Sequence, residues 1–70
     1  MDPAIQTRLR ELRLDRNWTQ EHLAEAAAVS RQSINSIERG RYIPSLPLAL
    51  HLARIFACPL EHIFFLEKQP

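Results

Sequence analysis

Apolar residues recur at helical spacing in several short segments of the chain. Ile5, Leu9 and Leu12 are spaced i, i+4 and i+7, which places them on one stripe of a helix. The same spacing recurs later in the chain, at Leu48, Leu52 and Ile55. Alternation typical of strands is lacking, and the chain contains a single Gly, so the pattern favours an all-α fold over one with strands.

Residues that favour helix ends divide the chain into five short predicted helices. The expected helix starts are Asp2-Pro3, Thr19, Ser30, Pro44-Ser45 and Pro59. The first helix should end at Asn17, the second at about Ala27 and the third at Arg39, before Gly40; the fifth should run from Leu60 to roughly Phe64. The link between the second and third helices is so short that it should hold them at a steep angle.

The third predicted helix has a polar face without an acidic residue. At about 100° per residue, Ser33, Ile34 and Ile37 fall on the side that would contact the core. The opposite arc carries Arg31, Gln32, Asn35, Ser36 and Arg39. Arg pairs with guanine, Gln or Asn with adenine, and Ser with either. This polar face therefore favours the reading of bases in a major groove over an ordinary solvated surface.

Size and charge change this picture little. Seventy residues are enough for one domain. The composition, with 46% apolar and 24% charged residues, is typical of a folded domain. A net charge of +1 neither requires nor excludes nucleic acid. One Cys excludes an internal disulfide, and no apolar run is long enough to span a bilayer. We therefore expect a cytoplasmic, nucleoid-associated protein without a membrane partner.

Few residues are suited to metal binding or catalysis. The candidates are His22, His51, Cys58 and His62. Cys58 and His62 are four positions apart, but no second close pair accompanies them, and a structural zinc site needs four ligands. We expect no metal, no cofactor, no catalytic residue and no enzymatic activity.

The C-terminal segment contains four consecutive large apolar residues: Ile63, Phe64, Phe65 and Leu66. One amphipathic face cannot bury all four in so small a core, so they predict a symmetric homodimer formed by residues 60–70. In the alternative, the tail folds back over the first and fourth helices. That arrangement accounts for Ile63 and Phe64 better than for Phe65 and Leu66.

The motifs TQEHLAE, VSRQSINSIERG and PSLPLALHLARIF occur in this order over nearly the whole chain. Together they resemble the helix-turn-helix domain of phage-repressor and Cro-like (xenobiotic-response-element) transcriptional regulators. The ending CPLEHIFFLEK is similar to that of the short stand-alone members. The resemblance implies one lambda-repressor-like domain over residues 1–70, with the second and third helices forming the helix-turn-helix. It further implies a homodimer that binds a palindromic operator in double-stranded DNA and acts as a repressor or autoregulator.

The resemblance also implies roles for individual residues. Base-reading positions would be Ser30, Arg31, Gln32, Asn35 and Ser36. Phosphate-contacting positions would be Thr19, Gln20, Arg39 and Arg41. Arg13 and Glu38 would form a structural salt bridge. Ala28 departs from the family, which usually has Gly at this turn, and a left-handed conformation there would cost about 1 kcal/mol.

Two other functions stay open from the sequence. The same domain could serve as an antitoxin or a restriction–modification controller, both of which still bind DNA. It could instead be a protein-interaction module that has lost DNA binding, which only the modest net charge and Ala28 favour. A regulatory protein partner also stays open.

Overall fold

The computed structural model describes residues 4–67 of the chain. The elements are β1 (Ile5–Thr7), α1 (Leu9–Asp15), α2 (Gln20–Ala27), α3 (Arg31–Glu38), α4 (Leu46–Phe56), a 3-10 turn (Leu60–His62) and β2 (Phe64–Leu66). The predicted first helix start, Asp2-Pro3, and residues 68–70 of the predicted dimerisation segment lie outside the described residues. The fold is mostly helical, as the sequence predicts.

Hydroxyl side chains begin three of the helices. Thr19, Ser30 and Ser45 each accept a hydrogen bond from the backbone N–H three residues ahead. These bonds satisfy donors that have no partner inside the helix. The starts of α2, α3 and α4 therefore follow directly from the capping residues in the sequence.

All four α-helices end with a residue in the left-handed region. The residues and their φ angles are Asn17 (58°), Ala28 (59°), Gly40 (73°) and Ala57 (53°). In each case the backbone N–H of the residue that follows donates a hydrogen bond to the carbonyl five residues earlier. At the end of α2, for example, the N–H of Val29 donates to the carbonyl of Ala24 at 3.0 Å. This is the hydrogen bond of a Schellman motif. Gly supplies this conformation at only one of the four ends.

The prediction of five helices is wrong at both ends of the chain. Residues 5–7 form strand β1, and α1 begins only at Leu9, whose N–H is bound by Thr7 Oγ1 at 3.1 Å. The predicted fifth helix is reduced to a 3-10 turn, after which β2 pairs antiparallel with β1 in the register Ile5↔Leu66 and Thr7↔Phe64. A helix of a few residues has little stability, and β-branched and aromatic side chains favour the paired strands.

One core joins the helices and the sheet. Its largest fully buried side chains are Leu9, Leu23, Ile34, Ile37, Leu52 and Ile63. Ile63 follows the 3-10 turn and points inward, and its carbonyl accepts from the N–H of Arg8 at 2.9 Å. The assignment of Ile63 to a dimer interface is therefore wrong, because this side chain has no exposed surface.

Candidate nucleic-acid interface

The polar face of α3 is open to solvent. Arg31, Gln32 and Arg39 are exposed, while Asn35 and Ser36 are half-buried at its flanks. Ser30 caps the helix: its Oγ accepts from the N–H of Ser33 at 3.0 Å and lies 2.9 Å from the Ser33 hydroxyl. The helix thus presents its basic and amide side chains on the surface, beginning at an ordered first turn.

The only acid of α3 is withdrawn from this surface. Glu38 Oε2 lies 2.6 Å from Arg13 Nε, and the two side chains are 2% and 9% exposed. Arg13 Nη2 donates to Glu38 Oε1 at 3.1 Å, and Nη1 donates to the carbonyl of Trp18 at 2.8 Å. The structure thus brings Arg13 and Glu38 together as a bidentate pair between α1 and α3. Because the carboxylate is neutralised and covered, the polar face shows cations without an accompanying anion.

Gln20 joins α2 to this pair. Its Nε2 donates to Glu38 Oε1 and to Asn35 Oδ1, both at 3.1 Å. A carboxylate only accepts hydrogen bonds, so the Glu38 carboxylate must face the NH2 group of the Gln20 amide and not its oxygen. Both amide protons of Gln20 are used in this way. For a phosphate, Gln20 retains only its main-chain N–H in the first turn of α2.

The neighbouring Thr19 can serve two partners at once. Its Oγ1 accepts from the N–H of His22 at 3.0 Å, which leaves the hydroxyl proton to be donated to an anion. Thr19 is exposed and lies at the positive end of α2, where negative charge is favoured.

Arg39 and Arg41 flank the turn that ends α3. The N–H of Gly40 donates to Ile37 at 3.0 Å and the N–H of Arg41 donates to Ser36 at 2.9 Å. Both arginines are exposed. A Cβ on Gly40 would meet no atom within 4 Å, so glycine is favoured there by the left-handed backbone and not by lack of space.

Tyr42 lies beside the polar face, and the helical pattern did not predict this position. It is 47% exposed. With Ser30, Gln32, Ser33 and Ser36 it lines a shallow depression of about 300 Å³. Its only sequence signal is a position two residues after Gly40, in the loop that follows α3.

The C-terminal strand contributes to an apolar surface together with β1 and the 3-10 turn. A hollow of about 470 Å³ is lined by Ile5, Leu60, Glu61, Phe64, Phe65 and Leu66. Phe64 and Phe65 are half-buried, and Leu66 is 59% exposed. Ile43 is 64% exposed and lines a smaller hollow together with Ile5 and Phe64. We call the surface formed by the apolar side chains of these two hollows the apolar sheet surface. It consists of Ile5, Ile43, Leu60, Phe64, Phe65 and Leu66.

The candidate metal ligands are dispersed. The His22 ring packs on Trp18 at 5.0 Å between centroids, and His51 Nε2 lies 3.3 Å from the carbonyl of Ala26. Over residues 4–67, His, Cys, Asp and Glu form no group of three able to hold a metal ion. Within the same residues, no helix has the length and apolar character needed to cross a membrane.

The fold and the polar face of α3 together define a helix-turn-helix domain. The helix-turn-helix family matches residues 9–63, and the chain belongs to this family, in its XRE or Cro-like branch. This confirms the resemblance drawn from the sequence motifs.

Individual relatives support the same assignment. The chain is 38% identical over 65 residues to the HTH-type transcriptional regulator YgzD of Bacillus subtilis, covering 93% of this chain and 98% of that protein. It is 45% identical over 65 residues to an HTH-type transcriptional regulator of Methanothermobacter thermautotrophicus, covering 91% and 94%. Among solved structures, the restriction-modification controller protein C.AhdI of Aeromonas hydrophila is similar, with a TM-score of 0.73 and 34% identity over 79% of this chain and 83% of that chain. The chain is a transcriptional regulator with a helix-turn-helix DNA-binding domain.

Proposed function

We propose that the protein represses transcription, including that of its own gene, by binding a palindromic operator as a homodimer. The observation that carries this proposal is the polar face of α3, which exposes Arg31, Gln32 and Arg39 while Glu38 is buried against Arg13. A surface with cations and amides but no exposed acid suits the edges of bases and the phosphates beside them.

In this proposal, side chains of α3 contact the bases. At about 100° per residue, Gln32 and Arg39 lie opposite the buried Ile34 and Ile37. The proposed base-reading residues are Ser30, Arg31, Gln32, Asn35 and Ser36. Gln32 is at the crest of this surface and should reach furthest into the major groove.

Phosphate contacts hold the helix in register on the duplex. The proposed contacts come from the Thr19 hydroxyl, the Gln20 main-chain N–H, and the side chains of Arg39 and Arg41. Thr19 and Gln20 lie at the start of α2, and the two arginines lie at the end of α3. The two sets thus flank the polar face.

The apolar sheet surface is the proposed dimer interface, with Phe64, Phe65 and Leu66 as its C-terminal part. The exposure of Leu66 and Ile43 supports this role, because exposed apolar patches mark association sites. To read two half-sites one duplex turn apart, the dimer must hold its two copies of α3 about 34 Å apart.

A second candidate function is the control of a restriction–modification system. The likeness to the controller C.AhdI, at 34% identity, favours it. This candidate shares the operator-binding mechanism and differs only in the genes that are regulated.

Two substitutions on α3 and its following loop test the proposed contacts. Gln32→Ala should weaken operator binding by about 1–3 kcal/mol and relax the preference at one base pair. Arg41→Ala should weaken binding to all sequences alike and lower the slope of log K against log salt by about 1. Arg54→Ala, an exposed arginine on α4, is the matched control and should change neither. Unaltered binding in both test variants would show that the polar face does not contact DNA.

A further inference from the structure

Gln20 lies between the buried ion pair and a base-reading side chain. Its Nε2 donates to Glu38 Oε1 and Asn35 Oδ1, each at 3.1 Å. Glu38 is in turn held by Arg13 through two contacts of 2.6 and 3.1 Å. A continuous set of hydrogen bonds therefore runs from the buried guanidinium to the edge of the polar face.

We infer that Gln20 is a positioning residue that fixes the side-chain amide of Asn35, and so decides which base edge Asn35 reads. The inference rests on the proposed function. It assigns Gln20 a part in specificity, beyond the phosphate contact of its main chain. Gln20 would act only through Asn35 and would itself touch no base.

The chemistry of the Asn35 amide follows from its bond to Gln20. Oδ1 is turned toward α2 by the donated proton, which leaves the Nδ2 protons to be offered to the groove. Within residues 4–67, the Asn35 side-chain nitrogen donates to no protein acceptor. An amide held this way suits an edge that only accepts, such as guanine N7 and O6 or thymine O4. An unrestrained Asn instead pairs both of its amide atoms with adenine.

The arrangement is rigid because Gln20 is held at two points. Glu38 and Asn35 are three residues apart on α3 and so lie on neighbouring turns of one flank. Asn35 is half-buried, and the Glu38 side chain is only 2% exposed. Rotation of the Gln20 amide would break both bonds and leave the buried carboxylate with one donor fewer.

The test compares operators selected from a random duplex pool by the wild-type protein, Gln20→Met, Asn35→Ala and the double variant. Met has a similar length to Gln but donates no hydrogen bond. Gln20→Met should lower discrimination about fivefold at the same base pair that Asn35→Ala relaxes. The double variant should relax that base pair no further, and the salt slope of Gln20→Met should equal that of the wild type.

Other outcomes would overturn the inference. If Gln20→Met flattens the salt slope and leaves base preference intact, its side chain contacts phosphate and does not position Asn35. If it relaxes a different base pair from Asn35→Ala, the two residues act independently. If the wild-type protein selects no sequence, the proposed function fails together with the inference. The control Gln32→Ala should relax a separate base pair in all cases where the wild type binds.

A measurement without DNA separates the two failures. In the free protein, the order parameter of the Asn35 side-chain amide, measured by NMR relaxation, should fall in Gln20→Met. The Gln32 side-chain amide should keep its value. An unchanged Asn35 order parameter would contradict the positioning role even if the wild-type protein selects an operator.

Discussion

At the scale of single residues, two alanines end helices in a conformation that favours glycine. Ala28 closes α2 with φ 59° and ψ 40°, and Ala57 closes α4 with φ 53° and ψ 45°. A left-handed residue with a Cβ costs about 1–2 kcal/mol. The turn between α2 and α3 therefore keeps the left-handed form that glycine would adopt there, and Ala28 bears the strain.

Replacing either alanine should stabilise the fold. Ala28→Gly and Ala57→Gly are each expected to raise the free energy of unfolding by about 0.5–1 kcal/mol, since relief of strain exceeds the extra entropy of the unfolded chain. Urea unfolding measures the change. Ala26→Gly, on the exposed side of α2, is the control and should lower stability by about 1 kcal/mol. Equal destabilisation by Ala28→Gly and Ala26→Gly would be inconsistent with a strained turn.

The side-chain positions could be predicted from sequence only in part. The helical pattern predicted which residues of α3 face outward, because that depends on one helix alone. The bonds of Gln20 to Asn35 and Glu38 join residues 15 and 18 positions apart, and they depend on how α2 sits against α3. The place of Tyr42 depends likewise on the path of the loop after Gly40.

At the scale of elements, local signals predicted the helices and missed the strands. Thr19, Ser30 and Ser45 begin α2, α3 and α4 because each caps backbone donors within its own segment. Strands β1 and β2 are three residues each, and they pair Ile5 with Leu66 across nearly the whole chain. A pattern within three residues is too short to show alternation, so this pairing leaves almost no local signal.

The ion pair between α1 and α3 gives a prediction at this scale. Glu38→Ala should lower the free energy of unfolding by about 3 kcal/mol or more, because it leaves the Arg13 guanidinium buried without its partner. The double variant Arg13→Met, Glu38→Leu should recover most of that loss, since apolar side chains of similar volume can replace a buried pair. Thermal unfolding of both variants tests this. Equal losses in the single and double variants would show that burial of the unpaired charge is not the cause.

At the scale of the whole molecule, the surfaces proposed for DNA binding and for association consist of different residues. The polar face lies on α3, whereas the apolar sheet surface is formed mainly by β1, the 3-10 turn and β2. Ile43, in the loop between α3 and α4, is the part of the apolar surface nearest in sequence to the polar face. The proposed dimer requires both copies of α3 to remain free to contact DNA.

A charge on the apolar sheet surface should separate the two copies. Leu66→Glu is expected to convert a dimer to a monomer in analytical ultracentrifugation, because a carboxylate would have to be buried at the interface. Operator affinity should fall at least about tenfold, as the second half-site no longer adds to binding. Leu14→Glu is the matched control: Leu14 is 47% exposed on α1 and lies outside this surface. A Leu66→Glu variant that stays dimeric would place the interface elsewhere.

Selection of a random double-stranded DNA pool on the purified protein, at roughly physiological salt, tests the central claim most directly. The proposed function predicts enrichment of an inverted repeat with half-sites about one duplex turn apart, read by two copies of α3. Sequencing of the enriched pool would reveal the spacing and the operator together. A folded wild-type protein that enriches no sequence would contradict the proposal that α3 reads DNA.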